Sequence, residues 1–228
     1  MNRLTDELHV RWHGHACFSL DNGYAVIVMD PYRPDMIGYP EFHVPAHAML
    51  ASHHHEDHDY PPSVRFLPPP ADGWLQEITT GRNWPADPSC WSYRRVMTAH
   101  DDQGGQKRGK NTVHILHSAG LTVVHLGDLG HLLTTEQVEA IGSPDLLLIP
   151  VGGFYTLDAG QAIEVINQLK PRNIAPMHYQ IGYGNMPISS VDSFLRLAAE
   201  TWQIEDLRGP QLNLTTEASG QCFVFQYE

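Results

Sequence analysis

The sequence predicts a mixed α/β fold in which two strand-rich halves carry helices on their outer faces. Three observations support this fold class. Short β-type runs recur along the chain, turn triplets separate several of them, and amphipathic helical segments appear mainly in the second half. We expect residues 1–228 to form a single domain, because the sequence shows neither an internal repeat nor a flexible linker.

The predicted strands are short runs rich in aliphatic, β-branched and aromatic residues. The triplets Asp21-Asn22-Gly23 and Ser118-Ala119-Gly120 lie where two such runs meet, so each predicts a β-hairpin. The runs are His9–Leu20, Tyr24–Met29, Ala46–Ser52, Tyr93–Ala99, Thr112–His117, Leu121–Leu126, Leu146–Val151, Asn173–Pro176 and Cys222–Tyr227.

Three helices are predicted, each opened by a side chain that can accept a hydrogen bond from the first turn. They begin after Thr134, after Asp158, and after Ser189 or Ser190. A glutamine three residues after Thr134 completes a capping-box pattern. The second helix runs to about Leu169, and its apolar residues fall on one stripe, as expected for a helix that covers the outer face of a sheet.

The stretch from Pro61 to Pro88 interrupts this pattern. It is rich in proline and contains Pro68-Pro69-Pro70. Proline lacks a backbone N–H and is disfavoured in the interior of helices and central strands. We therefore expect an irregular connection here, with at most one short helix around Trp74–Ile78.

Composition restricts the possible functions. The 228 residues carry a formal net charge of −12, which argues against binding to nucleic acids or anionic membranes. The three cysteines lack the spacing of a zinc knuckle or a redox motif. The first residues match neither a signal peptide nor a transit peptide, and no apolar run reaches membrane-spanning length. We expect a cytoplasmic protein with a small-molecule partner, and its oligomeric state stays open, a homo-oligomer included.

The most informative segment of the chain is Ser52-His53-His54-His55-Glu56-Asp57-His58. His53, His55, Asp57 and His58 favour divalent metals and lie within six residues of one another. In an extended segment the first two project to the same side, and a following turn would direct the other two towards a second point nearby. Imidazole and carboxylate ligands suit zinc, manganese and iron. The alternative is a histidine-rich surface loop that binds metal incidentally.

Three later β-type runs each end at a potential ligand, namely His100, Asp128 and His178. A lone residue of this kind usually serves as a turn or cap, but several strand ends with one layout favour a common site. We expect His131 to orient a ligand or to contact substrate. The other histidines near these segments are expected to have structural, surface or core roles: His13, His15, His43, His47, His114 and His125.

Together these segments resemble the metallo-β-lactamase superfamily. The resemblance rests on His53-x-His55-x-Asp57-His58, Gly127-Asp128 and Met177-His178-Tyr179, and it extends from about Trp12 to Tyr179. The Pro61–Pro88 stretch departs from it. Four further segments resemble the ascorbate-6-phosphate lactonase-like branch: Trp12-His13-Gly14-His15-Ala16, Asp30-Pro31-Tyr32, His125-Leu126-Gly127-Asp128-Leu129-Gly130-His131 and Pro150-Val151-Gly152-Gly153.

The resemblance implies a four-layer αββα sandwich with a dinuclear metal site at one edge. The implied cofactors are two divalent ions per chain, with zinc or manganese favoured and iron compatible. Asp30 would form a hydrogen bond near the histidine loop. By analogy the ligands are His53, His55 and His100 for the first ion and Asp57, His58 and His178 for the second, with Asp128 bridging the two.

Two ions that share Asp128 and a water would lower the pKa of that water from about 15.7 towards 7, which provides a hydroxide nucleophile. Asp57 is expected to orient this hydroxide, so Asp57 and Asp128 are the predicted catalytic residues. We therefore expect the protein to hydrolyse a small ester, lactone, amide or phosphorylated compound. A phosphodiesterase or nuclease on the same scaffold and a non-catalytic metal-binding protein are the alternatives. The acidic charge and the lack of the inserted domain of nuclease members weigh against polynucleotides.

Two further segments bear on the substrate. The glycine-rich loop Gly104–Lys110 contains Lys107 and Arg108, which could hold a phosphate or carboxylate group. A solvated hairpin loop is the alternative. Tyr155, which follows two glycines, is expected either to contact the substrate or to pack in the core.

Overall fold

The computed structural model describes residues 7–79, 84 and 90–228. Its helices are α1 Pro34–Ile37, α2 Thr135–Ile141, α3 Ala159–Leu169 and α4 Asp192–Ala198, with a 3-10 turn at Pro61–Ser63. Its strands are β1 Glu7–Trp12, β2 Phe18–Asp21, β3 Val26–Met29, β4 Val44–Ala46, β5 Ala48–Leu50, β6 Val64–Phe66, β7 Leu75–Glu77, β8 Trp91–Ala99, β9 Lys110–Ser118, β10 Leu121–His125, β11 Leu146–Pro150, β12 Ile174–Met177, β13 Gln203–Asp206, β14 Gln211–Thr215 and β15 Gln221–Val224.

These strands form two large sheets and the small pair β4-β6. The five-stranded sheet has the order β14-β1-β2-β3-β5, and the eight-stranded sheet has the order β13-β15-β12-β11-β10-β9-β8-β7. The strands from β8 to β10 are antiparallel, whereas β10, β11 and β12 run parallel to one another. Both predicted hairpins are confirmed, because Asp21-Asn22-Gly23 joins β2 to β3 and Ser118-Ala119-Gly120 joins β9 to β10.

One hydrophobic core lies between the two large sheets. Alternation along β1 places Leu8, Val10 and Trp12 in this core, while the intervening residues are partly exposed. In contrast, β11 is buried at every position. A parallel strand with both faces covered shows this pattern, because helices lie on the side opposite the core.

Helices α2, α3 and α4 cover the outer face of the eight-stranded sheet. The predicted capping boxes at Thr134 and Asp158 are both present and start α2 and α3. On the opposite side, α1 and the β4-β6 pair cover the five-stranded sheet around a smaller core that includes Val28 and Tyr32. The predicted sandwich of two sheets between outer layers is confirmed, and its second outer layer is short. The buried stripe of α3 consists of Ala162, Val165, Ile166 and Leu169.

Local predictions were wrong in three places. The run His9–Leu20 forms two strands rather than one, since Gly14 and His15 adopt positive φ angles of 93° and 52° and turn the chain. The segment around Trp74–Ile78 contains strand β7, not a helix, because Leu75–Glu77 pairs with the start of β8. The third helix begins at Asp192, later than predicted. The connection near Pro88 falls partly outside the described residues.

Two features bear on the environment of the protein. In the described ranges, no helix is long and apolar enough to cross a membrane. Cys17 and Cys222 are buried, and burial raises the pKa of the Cys222 thiol to about 12. A thiol with so high a pKa is a poor nucleophile, so a structural role fits Cys222.

Candidate metal centre

The predicted ligands meet at one edge of the sheets because each follows the end of a strand. His100 directly follows β8, and His178 directly follows β12. His53 comes three residues after β5, and Asp128 comes three residues after β10. These segments are far apart in sequence, and they are brought together by strand pairing within the eight-stranded sheet and by packing of this sheet against the one that contains β5.

The histidine loop itself consists of bends and turns rather than the extended chain expected from its spacing. The backbone N–H groups of His58 and Asp59 both donate to the carbonyl of His55, at 2.8 and 2.7 Å. The imidazole rings of His55 and His58 lie 4.5 and 4.4 Å from the ring of His53. The spacing therefore predicted which side chains are neighbours, but not the backbone that makes them so.

Three triplets of described side chains place potential ligand atoms within 4.8 Å of one another. The His53 triplet is the set expected for the first metal ion. The His15 triplet contains two residues expected at the second ion, but it has His15 where Asp57 was expected. The His53 triplet is His53, His55 and His100, the His15 triplet is His15, His58 and His178, and the Asp128 triplet is His53, His58 and Asp128.

Asp128 lies between the first two triplets. Its Oδ2 atom is 3.1 Å from Nε2 of His100, 3.2 Å from Nε2 of His58 and 3.5 Å from Nε2 of His178. The backbone N–H of Asp128 donates to Oδ1 of Asn111 at 2.9 Å, and Asn111 also donates to the carbonyl of residue 126, so it fixes the loop after β10. A bridging carboxylate requires this central position.

Asp30 connects the histidine loop to the end of β3 and is fully buried. Its Oδ1 accepts from the backbone N–H of Ser52 at 2.6 Å, and its Oδ2 accepts from the Ser52 hydroxyl at 2.6 Å and from Nδ1 of His58 at 2.8 Å. Burial would raise the pKa of Asp30, but the imidazoles of His125 and His58 hold it well below its usual range. Because an ionised carboxylate only accepts, Nδ1 of His58 carries a proton, so Nε2 is the nitrogen that a metal ion would bind.

Asp57 lies beside the His15 triplet without belonging to any of the three. Its Oδ2 is 3.6 Å from Nε2 of His15 and 3.7 Å from Nε2 of His58. Burial would raise its pKa, but these two imidazoles hold it well below the usual range. Since 12% of its side chain is exposed, Asp57 offers an ionised carboxylate that water can reach.

The polar atoms of the site have the chemistry of a metal centre. Nε2 of His15, His53, His58 and His178 and Oδ1 of Asp128 are all buried and make no hydrogen bond. Buried polar atoms are nearly always paired, so a cluster of such atoms points to a bound cation. Burial lowers the pKa of His53 to about 3 and that of His15 to about 4. Both imidazoles are therefore neutral at pH 7, as metal coordination requires.

The charges of the site lead to the same result. Among the described residues, the ion pairs of Asp30, Asp57 and Asp128 are formed with histidines and not with lysine or arginine. Burial would lower the pKa of His58, yet Asp128 and Asp57 raise it well above its usual value. The pocket thus favours positive charge at its centre, which a divalent ion would supply. Nitrogen and oxygen donors without a thiolate suit zinc, manganese or iron.

Three other polar residues near the loop are engaged outside the triplets. His54 is 93% exposed and its Nδ1 lies 2.6 Å from Asp59. Glu56 pairs with the exposed Arg33, the residue just before α1, at 3.1 Å. His131 accepts from the backbone N–H of Ala99 at 3.1 Å, so it braces the end of β8 rather than contacting a ligand side chain.

The basic loop after His100 is held by Asp101, which accepts hydrogen bonds from four backbone N–H groups of the loop. Lys107 pairs with Asp102 at 3.5 Å. Arg108 donates to a backbone carbonyl at 3.0 Å, and its guanidinium lies 5.5 Å from the ring centroid of Tyr155. Tyr155 therefore supports Arg108, and of the two predicted cations only Arg108 lines the cleft described next.

A cleft of about 440 Å³ adjoins the His53 triplet and is lined by three cationic side chains, Arg95, Arg108 and Lys110. Arg95 pairs with Glu77. Lys110 donates to a backbone carbonyl at 2.8 Å, and within the described chain neither it nor Arg108 forms an ion pair. The sequence places Lys110 in the basic loop, but nothing in it indicates that Arg95 lies near the site. Arg95 reaches the cleft from the middle of β8.

His15 is the site residue that the sequence interpretation misplaced. It was expected to be structural or superficial, yet it is 1% exposed and its ring centroid lies 4.3 Å from that of His178. The local signals were its place in Trp12-His13-Gly14-His15-Ala16, one of the segments that carry the resemblance, and its glycine neighbour, which permits the turn between β1 and β2. Ser52 and Asn111 were also missed, because their roles arise from hydrogen bonds between distant segments.

The chain is similar to known proteins over most of its length. Residues 9–178 match a family model described as the beta-lactamase superfamily domain. A metal-dependent hydrolase of Thermoplasma acidophilum is 29% identical over 200 residues, which cover 76% of this chain and 84% of that protein. Another from Pyrococcus horikoshii is 26% identical over 226 residues, covering 90% and 99%.

A solved structure from Thermotoga maritima superposes with a TM-score of 0.69 at 31% identity, covering 97% of this chain and all of the other. That protein is described as a zinc-dependent hydrolase of the metallo-β-lactamase superfamily. The family match covers most of this chain, and the superposition extends over nearly all of it. The chain therefore belongs to the metallo-β-lactamase superfamily.

Proposed function

We propose that this protein is a hydrolase that binds two divalent ions and cleaves a small ester, lactone or phosphorylated substrate. The observation that carries the proposal is the position of Asp128, whose Oδ2 lies within 3.5 Å of Nε2 atoms from both histidine groups. The His53 triplet would hold one ion, and His58 and His178 would hold the other. Relatives described as metal-dependent hydrolases support the reaction class.

Two divalent ions at these positions would supply a water nucleophile activated at neutral pH and would polarise the oxygen of the bond under attack. The side chains supply orientation. Asp57 Oδ2, ionised and within reach of water, can accept a hydrogen bond from the attacking water and direct it. The Ser52 hydroxyl donates a hydrogen bond to Asp30 at 2.6 Å, so this hydroxyl is engaged. An activated water makes a serine nucleophile unnecessary at this site.

The cleft beside the His53 triplet favours a substrate with an anionic group. Arg108 and Lys110 present positive charge to it and make their described hydrogen bonds to backbone carbonyls, which leaves the charges un-neutralised. The protein as a whole has a net charge of −12, so the cations beside the His53 triplet contrast with its overall charge. A phosphate or carboxylate of a small molecule would suit it, and a small phosphodiester is the second candidate substrate.

The reaction is tested by metal analysis combined with a panel of lactones, carboxylic esters and phosphoesters. We expect about two ions per chain. We also expect turnover of at least one substrate, and Asp57→Asn should abolish it. Asp59→Asn is the matched control, because Asp59 lies two residues away and its carboxylate pairs with the exposed His54 instead of facing the centre. A fully metal-loaded protein that turns over no member of the panel would favour the non-catalytic alternative.

Substrate charge is tested separately by kinetics of variants. Arg108→Gln and Lys110→Gln should raise KM for anionic substrates and leave KM for neutral analogues unchanged. Lys107→Gln is the control, since Lys107 belongs to the same loop but pairs with Asp102. An equal rise in KM for neutral and anionic substrates would reject the role of this cleft in charge recognition.

A further inference from the structure

The backbone of His15 is fixed at the centre by contacts from two elements. Its carbonyl accepts from Nε1 of Trp12 at 3.0 Å and from the backbone N–H of His178 at 3.0 Å. His15 and His178 both have a φ of 52°, in the left-handed region that residues other than glycine rarely adopt. Strained backbone of this kind is concentrated at functional sites, where it directs a side chain.

The side chain of His15 completes a group of three buried imidazoles. Its ring centroid lies 4.3 Å from that of His178 and 4.9 Å from that of His58. Nε2 is buried and makes no hydrogen bond, and the same is true of Nε2 in the other two residues. One potential ligand atom from each residue lies within 4.8 Å of the others, so the three atoms surround one possible ion position.

We infer that His15 is a ligand of the second metal position, where it joins His58 and His178. This inference rests on the proposed function only in assuming that an ion occupies this position. Asp57, expected there by analogy, lies outside the three triplets, with its Oδ2 3.6 Å from Nε2 of His15, so His15 is an addition to the predicted ligands. In this arrangement the second position has three nitrogen ligands, and the Asp57 carboxylate lies beside them.

Metal binding by the full chain tests this ligand without reference to turnover. Metal-free protein is titrated with zinc against a chromophoric chelator, and the cadmium-loaded protein is examined by 113Cd NMR. Wild-type protein should bind two ions and give two resonances. His15→Ala should weaken one of the two affinities by at least about tenfold, because even the loss of a group that only orients a ligand has effects of that size. One cadmium resonance should shift or vanish while the other stays in place.

Two further variants separate a ligand from a packing residue. His15→Gln keeps the bulk and polarity of the side chain and should weaken binding of the same metal ion as His15→Ala does. This variant also tests the ligand role if the alanine variant fails to fold. His15→Asp supplies an oxygen ligand and should restore binding of two ions with a displaced resonance. His13→Ala is the matched control, since His13 lies in the same turn and pairs with Ser19 at 2.8 Å.

Unaltered affinities and both resonances in place in the alanine and glutamine variants would overturn the inference. Wild-type protein that takes up no metal would overturn it together with the proposed function. Hydrolysis is not measured in these experiments, so a failure to find a substrate counts against the proposed function alone.

Discussion

Replacement of Asp30 by asparagine is expected to weaken metal binding, although Asp30 is not one of the predicted ligands. Its carboxylate accepts three hydrogen bonds, two from Ser52 and one from Nδ1 of His58. Asparagine keeps one oxygen, which must face the backbone N–H of Ser52 because that donor cannot rotate. The amide nitrogen then faces the Ser52 hydroxyl and His58 Nδ1.

The two groups that meet the amide nitrogen respond differently. The Ser52 hydroxyl can rotate and accept. The imidazole of His58 can accept at Nδ1 only if its proton moves to Nε2, which lies 3.2 Å from Asp128 and would then lack a lone pair for a metal ion. All three hydrogen bonds lose the charge of the carboxylate, at a cost of about 1 kcal/mol each, or about 3 kcal/mol in the free energy of unfolding.

These changes predict distinct readouts for Asp30→Asn. Zinc affinity, measured by competition with a chromophoric chelator, should fall roughly 10- to 100-fold. The Tm of metal-free protein, followed by circular dichroism, should fall by roughly 6–12 °C. Asp35→Asn is the control, because Asp35 lies on the surface in an exposed ion pair with Arg33 and should change neither quantity. Zinc affinity within twofold of wild type in Asp30→Asn would refute the tautomer argument.

Three further outcomes are expected. In Gly130→Ala the new Cβ would lie 2.5 Å from the carbonyl carbon of His100, so zinc affinity should fall by roughly tenfold. Gly182→Ala is the control, because its Cβ meets no atom within 4 Å and its zinc affinity should equal that of wild type. Asp158→Ala removes the cap of α3 and should lower the free energy of unfolding in urea by about 1 kcal/mol; no shift in the urea midpoint would contradict the capping role. Burial would raise the pKa of Asp101, but four backbone N–H groups hold it well below its usual range. A carboxyl group with a lowered pKa in the folded state stabilises the fold above its unfolded pKa, and this stabilisation is lost as pH falls. The difference in urea midpoint between metal-free wild type and Asp101→Asn should therefore shrink from about pH 6 to about pH 3. A constant difference would contradict this role of Asp101.

Much of the fold could be predicted because its signals are local. Alternating burial along β1, the turn triplets of both hairpins and the caps at Thr134 and Asp158 depend on residues within a few positions of one another. The segment around Trp74–Ile78 was expected to hold at most one short helix, and nothing local marks it as a strand. It forms one only through pairing with the start of β8.

Residue types and spacing by themselves predicted a metal site in this protein. Four ligand-type side chains within six residues, followed by strand ends at His100, Asp128 and His178, required no tertiary information to indicate metal binding. The tertiary structure decided which atoms share a position. Packing of the two large sheets brings the turn at His15 against the end of β12, and Arg95 of β8 lines the cleft. Such contacts join residues that are far apart in sequence, and their distances follow from how the sheets pack, which sequence spacing does not encode.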